Sequence, residues 1–386
     1  MSQINVNTIT NRDETGGPVI VGVTTISGLT YPTAGALSNR NLIINGAMQV
    51  AQRGTSFTGL TSATNYGADR HGFVISGAGT WTVENSTTSL DAFKDSVKID
   101  CTTAKASLGA NDQCNFRYNF EGQDLQHLKK GTSAAESLTL SFWVQSNKTG
   151  TYIVELFDSD NTRHISRSYT IDSSSTWEQK TITFPGDTTG SLDNDNDNSL
   201  TVRWWLAAGT DWTSGTLATS WQAQDNTDRA VGQVNLADST NNEWQITGVQ
   251  LEVGTVATPF EHRSFGDELA RCQRYYQQSW TGDAATGPTT DGDIVACPLS
   301  NSTGLLIGTT FLLQTMRATP TLTEVGSATL NSGWCIVTGS GTPVAKPGIL
   351  QAKGDRRTIK LSVPVSGVTS GESYATIGNW TASAEL

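Results

Sequence analysis

The chain has 386 residues and a formal net charge of −11, with 36% hydrophobic and 16% charged side chains. That length predicts two or three globular units, and the apolar share excludes a disordered chain. The acidic balance excludes a nucleic-acid binder, which needs clustered cations to displace counterions from phosphate; Lys129-Lys130 and Arg356-Arg357 are the only adjacent pairs of their kind.

Glycine (38 residues) with abundant Ser, Thr and Asn is the composition of turn-rich β structure. Residues 1–40 carry short alternating segments (Ile4, Val6, Ile9; Val19, Val21, Val23, Ile26) broken by Gly16-Gly17-Pro18 and Pro32. They read as a strand-forming arm whose apolar face needs a partner, either the same arm of neighbouring copies or a docking surface. From 41 to 263 strand-like runs alternate with Gly, Asn, Asp and Ser clusters, about eight to ten strands, as an antiparallel jelly-roll sandwich requires. Leu138, Leu140, Phe142 and Val144 share one face, as do Tyr152, Val154 and Leu156, then Ile182 and Phe184. Trp204 and Trp205 point to opposite faces, and Trp244, Ile246, Val249 and Leu251 close the unit. Residues 264–280 predict one helix, opened by Ser264 and Asp267, with Phe265, Leu269, Cys272 and Tyr276 along a narrow seam. Such a seam packs either on its own sandwich or on copies of itself, the latter making a trimer contact with Arg263. Residues 281–386 form a second β unit, with strands in IVACPL, GLLIGTTFLLQT, ATLNSGWCIVT, TIKLSVPVS and YATIGNW. The fold class is all-β.

The chemistry-bearing residues are sparse. The four histidines show no HExxH spacing and face no GxSxG turn, and there is no phosphate-binding loop. The five cysteines include no C-x-x-C pair; Cys101 and Cys114 could bridge if two antiparallel strands brought them together. In LDNDNDNSL, Asp193, Asp195 and Asp197 alternate with asparagines, a spacing that can wrap calcium, although the turn glycine and distal glutamate of a calcium loop are missing and a solvated acidic turn competes. No other cofactor is implied. Eleven tryptophans are many for an acidic β protein. Flat aromatic faces cover the C–H faces of sugar rings while nearby amides and carboxylates bond hydroxyls, so Trp212, Trp221, Gln222 and Asp211 are the candidate glycan-binding set. A tryptophan on a strand is otherwise a core residue.

NLIINGAMQVAQRGTSF (Asn41 to Phe57), YGADRHGF (Tyr66 to Phe73) and above all ITGVQLEVGTVATPFEHRSFGDELARCQRYYQ (Ile246 to Gln277) resemble the phage tail-fibre family of marine and cyanobacterial viruses. The likeness covers about 41 to 277, with a looser one in the arm and the terminal WTASAEL. It implies a jelly roll similar to carbohydrate-binding modules, a homotrimer on the virion and a part in host-surface recognition; it supplies no catalytic residues. One departure is His71, where the family pattern has a tryptophan or similarly large residue.

The expected protein is therefore a tail-fibre-type virion component and not an enzyme. It is expected to be made in a host cytoplasm, since MSQINVNTIT lacks the basic and apolar regions of an export signal. Its expected partners are two further copies, other virion proteins through residues 1–40, and host polysaccharide or lipopolysaccharide, without nucleic acid or membrane insertion. Two other readings compete: an architectural capsid or tail decoration without glycan binding, and a polysaccharide depolymerase, which needs only two well-placed carboxylates.

Overall fold

The computed structural model describes residues 25–26, 29–30, 38–279, 293–298, 305–325, 334–337, 343–345, 349–352, 356–364 and 373–386. Of the arm it describes a two-residue pairing, β1 (Thr25–Ile26) with β2 (Leu29–Thr30), and the last residues before Asn41. The rest of the 1–40 reading lies outside the described residues.

An 11-stranded antiparallel sheet curls into the sandwich. Its strands are β3 (Ser56–Ala68), β4 (His71–Thr87), β5 (Asp95–Thr103), β6 (Gln113–Glu121), β7 (Leu138–Ser146), β8 (Gly150–Asp158), β9 (Arg163–Ile171), β10 (Glu178–Phe184), β11 (Asn198–Ala208), β12 (Gln222–Ala223) and β13 (Glu243–Val253). They run β10-β7-β13-β5-β4-β6-β11-β8-β9-β12, with β3 also on β4. One half of β4 pairs with β5 through Thr80 to Thr87 and the other with β6 through His71 to Gly77. Between them stand Gly77 (φ 67°) and Gly79 (φ 85°), in backbone conformations that a side chain resists, so the strand turns the corner there. A Cβ on Gly79 would lie 2.4 Å from the Thr103 carbonyl oxygen. The corner also explains why Cys101 and Cys114 are free thiols: they pair with Trp81 and Ile75, six residues apart along β4 on either side of the bend.

The alternating residues of the sequence fill the core, with Leu140, Phe142, Val144, Tyr152, Val154, Leu156, Phe184, Trp204 and Trp244 inaccessible. The three-residue step from Ile246 to Val249 is a β-bulge. Gly248 (φ 61°) inserts one residue between Thr247 and Gln250 and returns Val249 and Leu251 to the core face. Trp205 is inaccessible on the opposite face, where it packs with Ile153 and Ala230 beneath the excursion between β11 and β13.

The helix is shorter than its sequence pattern. A one-turn α1 (Thr210–Thr213) lies in the excursion, and α2 spans Phe265–Gln273 behind a Ser264 cap that accepts from the Asp267 amide at 3.2 Å. The chain then re-enters a sheet as β14 (Tyr276–Gln278), because Arg274 and Tyr275 are held by Glu121 of the jelly roll. Of the seam residues, Cys272 and Tyr276 are buried within the chain, and the partly buried Arg263 bonds the Asn41 and Ile43 carbonyls and Glu268. Phe265 is 56% exposed and Leu269 partly so.

The C-terminal unit holds β15 (Asp293–Pro298), β16 (Leu305–Phe311), β17 (Thr321–Val325), β18 (Trp334–Val337), β19 (Pro343–Ala345), β20 (Ile349–Ala352), β21 (Thr358–Pro364) and β22 (Ser373–Ser383). The long β22 pairs with β14, β15, β17 and β18, while β16, β21 and β20 form a separate sheet. Its end docks on the jelly roll: Glu385 bonds Arg70 and Arg53, and the Leu386 carbonyl accepts from Asn119.

His71 fills its space by stacking on Phe116 (centroids 5.4 Å, 9°), with Nδ1 3.2 Å from the Asp69 carbonyl. Burial pushes the imidazole down to about 3. A depressed histidine contributes stability that is present above its unfolded value near 6.5 and is lost as pH falls toward the folded value. Between pH 7.5 and 5 the wild type is expected to lose about 2 kcal/mol more stability than His71→Phe, measured by denaturant unfolding at both pH values; equal losses would show that the ring is protonated in the fold.

Candidate functional site

Antiparallel cross-strand partners share a face, so the register fixes what lies on the face of β6, β11 and β8 turned away from the core. One row runs Tyr66, Gly72, Arg117, Arg203, Glu155, Ser166. The row on one side runs Asn119, Thr201, Phe157, His164, Gln222. The row on the other contains Val74, Asn115 and Trp205.

Both flanking rows are roofed at β6 and β11. Asn119 donates to the C-terminal Leu386 carbonyl at 2.9 Å, and Trp205 lies under Trp212, ring centroids 5.5 Å apart. Beyond them, Glu155 is fully buried. It accepts from Arg229 Nε (2.7 Å), Arg229 Nη2 (3.1 Å), Arg203 Nη1 (2.9 Å) and Trp205 Nε1 (3.2 Å). Both arginines come from residues around the excursion or beside it, so this carboxylate anchors the roof. The middle row stays partly open at Tyr66, Arg117 and Arg203, the last 13% exposed. Buried beside it are Arg203 Nε, Asn115 Oδ1 and Trp212 Nε1, which have no hydrogen-bond partner among the described residues. A trough with partly exposed guanidinium groups at Arg117 and Arg203 and aromatic edges at Tyr66 and Phe157 suits a hydroxyl-bearing ligand. Its one carboxylate, Glu155, is wholly engaged by arginines.

The residues singled out from sequence are not gathered into one cleft. Trp212, in α1, leans on Trp205 with the Arg229 guanidinium 5.4 Å from its ring centre, and Asp211 beside it is exposed. Trp221 donates through Nε1 to the Pro185 carbonyl at 2.7 Å, and its ring carries the Lys130 ammonium at 4.8 Å. Gln222 is in β12 and donates to Asp228 at 3.0 Å. Of the four, Trp212 alone borders the trough. Arg203, Arg117 and Asn115 were missed, although the alternation in QCNFRYNFE and TVRWW sets them opposite the core residues and marks polar side chains on a strand face.

Asp193, Asp195 and Asp197 are exposed in the turn before β11. Their backbone carbonyls and the neighbouring Asn196 serve the protein itself: Gln123 N donates to the Asp195 carbonyl at 2.8 Å and Arg317 to that of Asn196. Among the described residues no group of three or more His, Cys, Asp or Glu side chains is placed to hold a metal ion. No described helix is long and apolar enough to cross a membrane.

No protein-family model and no curated protein sequence matches the chain. Similar solved structures include the family 11 carbohydrate-binding module from Clostridium thermocellum in complex with a β-1,3-1,4-mixed-linked tetrasaccharide (12% identity, 53% of this chain and 98% of that one, TM-score 0.26). Another is the N-terminal cellulose-binding domain of Cellulomonas fimi β-1,4-glucanase C (12%, 48% and 90%, TM-score 0.25). A third is the enzymatically active domain of bacteriophage CBA120 tailspike protein 4 (10%, 55% of this chain but 21% of that one, TM-score 0.27).

Glu155→Ala is expected to destabilise the chain by roughly 3–5 kcal/mol, because it strands Arg229 and Arg203 without their counter-charge. Denaturant unfolding measures it, and a change below about 1 kcal/mol would show that the carboxylate does not hold the roof.

Proposed function

We propose that the chain is a bacteriophage virion structural protein of the tail-fibre type that binds host-surface glycans through the trough at Arg203 and does no chemistry on them. The observation that carries this reading is the middle row, left partly open at Tyr66, Arg117 and Arg203 between two roofed rows. The resemblance of Asn41 to Gln277 to virion fibres supports the particle context. In this reading residues 1–40 attach the protein to the virion and hold three copies together. Weak contacts on three copies then add up to firm adhesion through effective concentration.

The architectural reading has one observation in its favour: the Trp221 ring and indole nitrogen are engaged by the protein's own Lys130 and Pro185. Binding of the purified protein to whole host cells and to their lipopolysaccharide separates the two. Saturable binding is expected, weakened at least about tenfold, or roughly 1.4 kcal/mol, by Arg203→Ala and by Trp212→Ala, with no reducing sugar released. Absence of binding would favour the decoration protein, and sugar release a depolymerase.

For assembly, the full chain is expected to sediment as three 41.2 kDa copies. A chain lacking residues 1–37 is expected to sediment as one, and Leu269→Asp to stay trimeric. Loss of the trimer in Leu269→Asp would return the contact to α2.

A further inference from the structure

A second concavity, of about 710 Å³, lies between α2 and the end of the β3–β4 hairpin, well away from Arg203 in sequence and in its lining. Its volume falls in the range of about 300–1,000 Å³ of small-molecule sites. Part of the lining is apolar: Phe265, Leu269 and Leu313 face it, and Phe265 and Leu313 are 56% and 69% exposed, two of the three large hydrophobic side chains exposed among the described residues.

The rest of the lining is polar. Gln49, Gln273, Thr55 and Thr87 line it with side chains that bond no described residue, beside Asp95, whose carboxyl is pushed above its usual value by burial alone. Asn85 is held rigidly, its amide nitrogen donating to the Met48 carbonyl at 3.1 Å and its backbone N–H to the Thr55 carbonyl at 2.7 Å. Its Oδ1 lacks a partner.

That lining selects by chemistry. Among the described residues no lysine, arginine or histidine borders the groove, so a phosphate or uronate would meet Asp95 with no counter-charge from them. An acyl chain would cover Phe265 but leave the amides and hydroxyls of Gln49, Gln273, Thr55 and Thr87 dry and unpaired, at about 1–3 kcal/mol each. A molecule with apolar faces and an equatorial belt of hydroxyls satisfies both kinds of lining. We propose that this groove is a binding site for an uncharged saccharide segment, stacked on Phe265 and hydrogen-bonded to these amides and hydroxyls. The proposal rests on the glycan-binding reading and adds a second site, lined by neutral donors and acceptors where the trough at Arg203 carries two guanidinium groups.

Saturation-transfer NMR on the full chain tests it, with neutral trisaccharides of glucose, galactose, mannose and rhamnose and with trigalacturonate as the charged control. At least one neutral trisaccharide is expected to bind. Its affinity is expected to fall tenfold or more in Phe265→Ala and in Thr87→Trp, which fills the groove. Melting curves confirm that each variant is folded. Failure of every neutral trisaccharide to bind would overturn the proposal, as would binding that survives both groove variants. A Phe265→Ala chain with a smaller sedimentation coefficient would overturn it too, by showing that a second copy covers the groove. If host-cell binding persists and depends on Arg203 while the groove variants have no effect, the groove proposal alone fails; if no glycan or cell binds, both readings fail.

Discussion

The Arg70 guanidinium has no route to water, and the ends of the molecule are arranged around it. Arg70 sits in the two-residue turn between β3 and β4 with φ 73°, fully buried, its charge answered by Glu385 at 2.5 Å and its other amino group by the Asn119 carbonyl at 2.7 Å. The Tyr275 ring lies 3.4 Å from its carbon and the Tyr118 ring 5.0 Å. A buried charge is tolerable only with its counter-charge and hydrogen bonds in place. The next-to-last residue of the chain and the residues after α2 must therefore be docked on the jelly roll for its first hairpin to be stable. Neighbouring pairs extend the joint: Glu121 with Arg274 and Tyr275, Glu268 with Arg263 and the Asn45 amide, and Arg53 between Glu385 and Tyr276.

Docking has a functional consequence. Placing Leu386 on Asn119 roofs one row of the outer sheet face, and the Glu155 network roofs the other by holding the excursion through Arg229. What remains is the strip at Arg117 and Arg203. The trough is thus shaped by two charge networks, Glu385 with Arg70 outside it and Glu155 with Arg229 and Arg203 at its inner end.

The trough and the groove beside α2 also differ in the sign of what they offer. One presents guanidinium groups, the other amides, hydroxyls and a single carboxyl beside apolar side chains. Two weak sites of complementary selectivity on one chain would read a heteropolysaccharide more discriminatingly than either alone, since specificity is a difference between affinities.

The sequence alone determined the all-β class, the core faces of β7, β8 and β13 and the start of α2 at Ser264, because strand alternation and helix capping are local patterns. Even the bulge at Gly248 is visible as the three-residue step between Ile246 and Val249. Tertiary structure decided the rest. Alternation cannot say whether the second face of a strand meets water or another segment, and only the fold shows Trp205, Glu155 and Arg229 buried there. It cannot say which side chains of a helical seam are claimed by the helix's own domain, which is why Cys272 and Tyr276 turn inward while Phe265 does not. Nor can it place Glu385 on Arg70, 315 residues away: that pairing follows from the cost of burying a charge, and only the folded chain shows where the charge is buried.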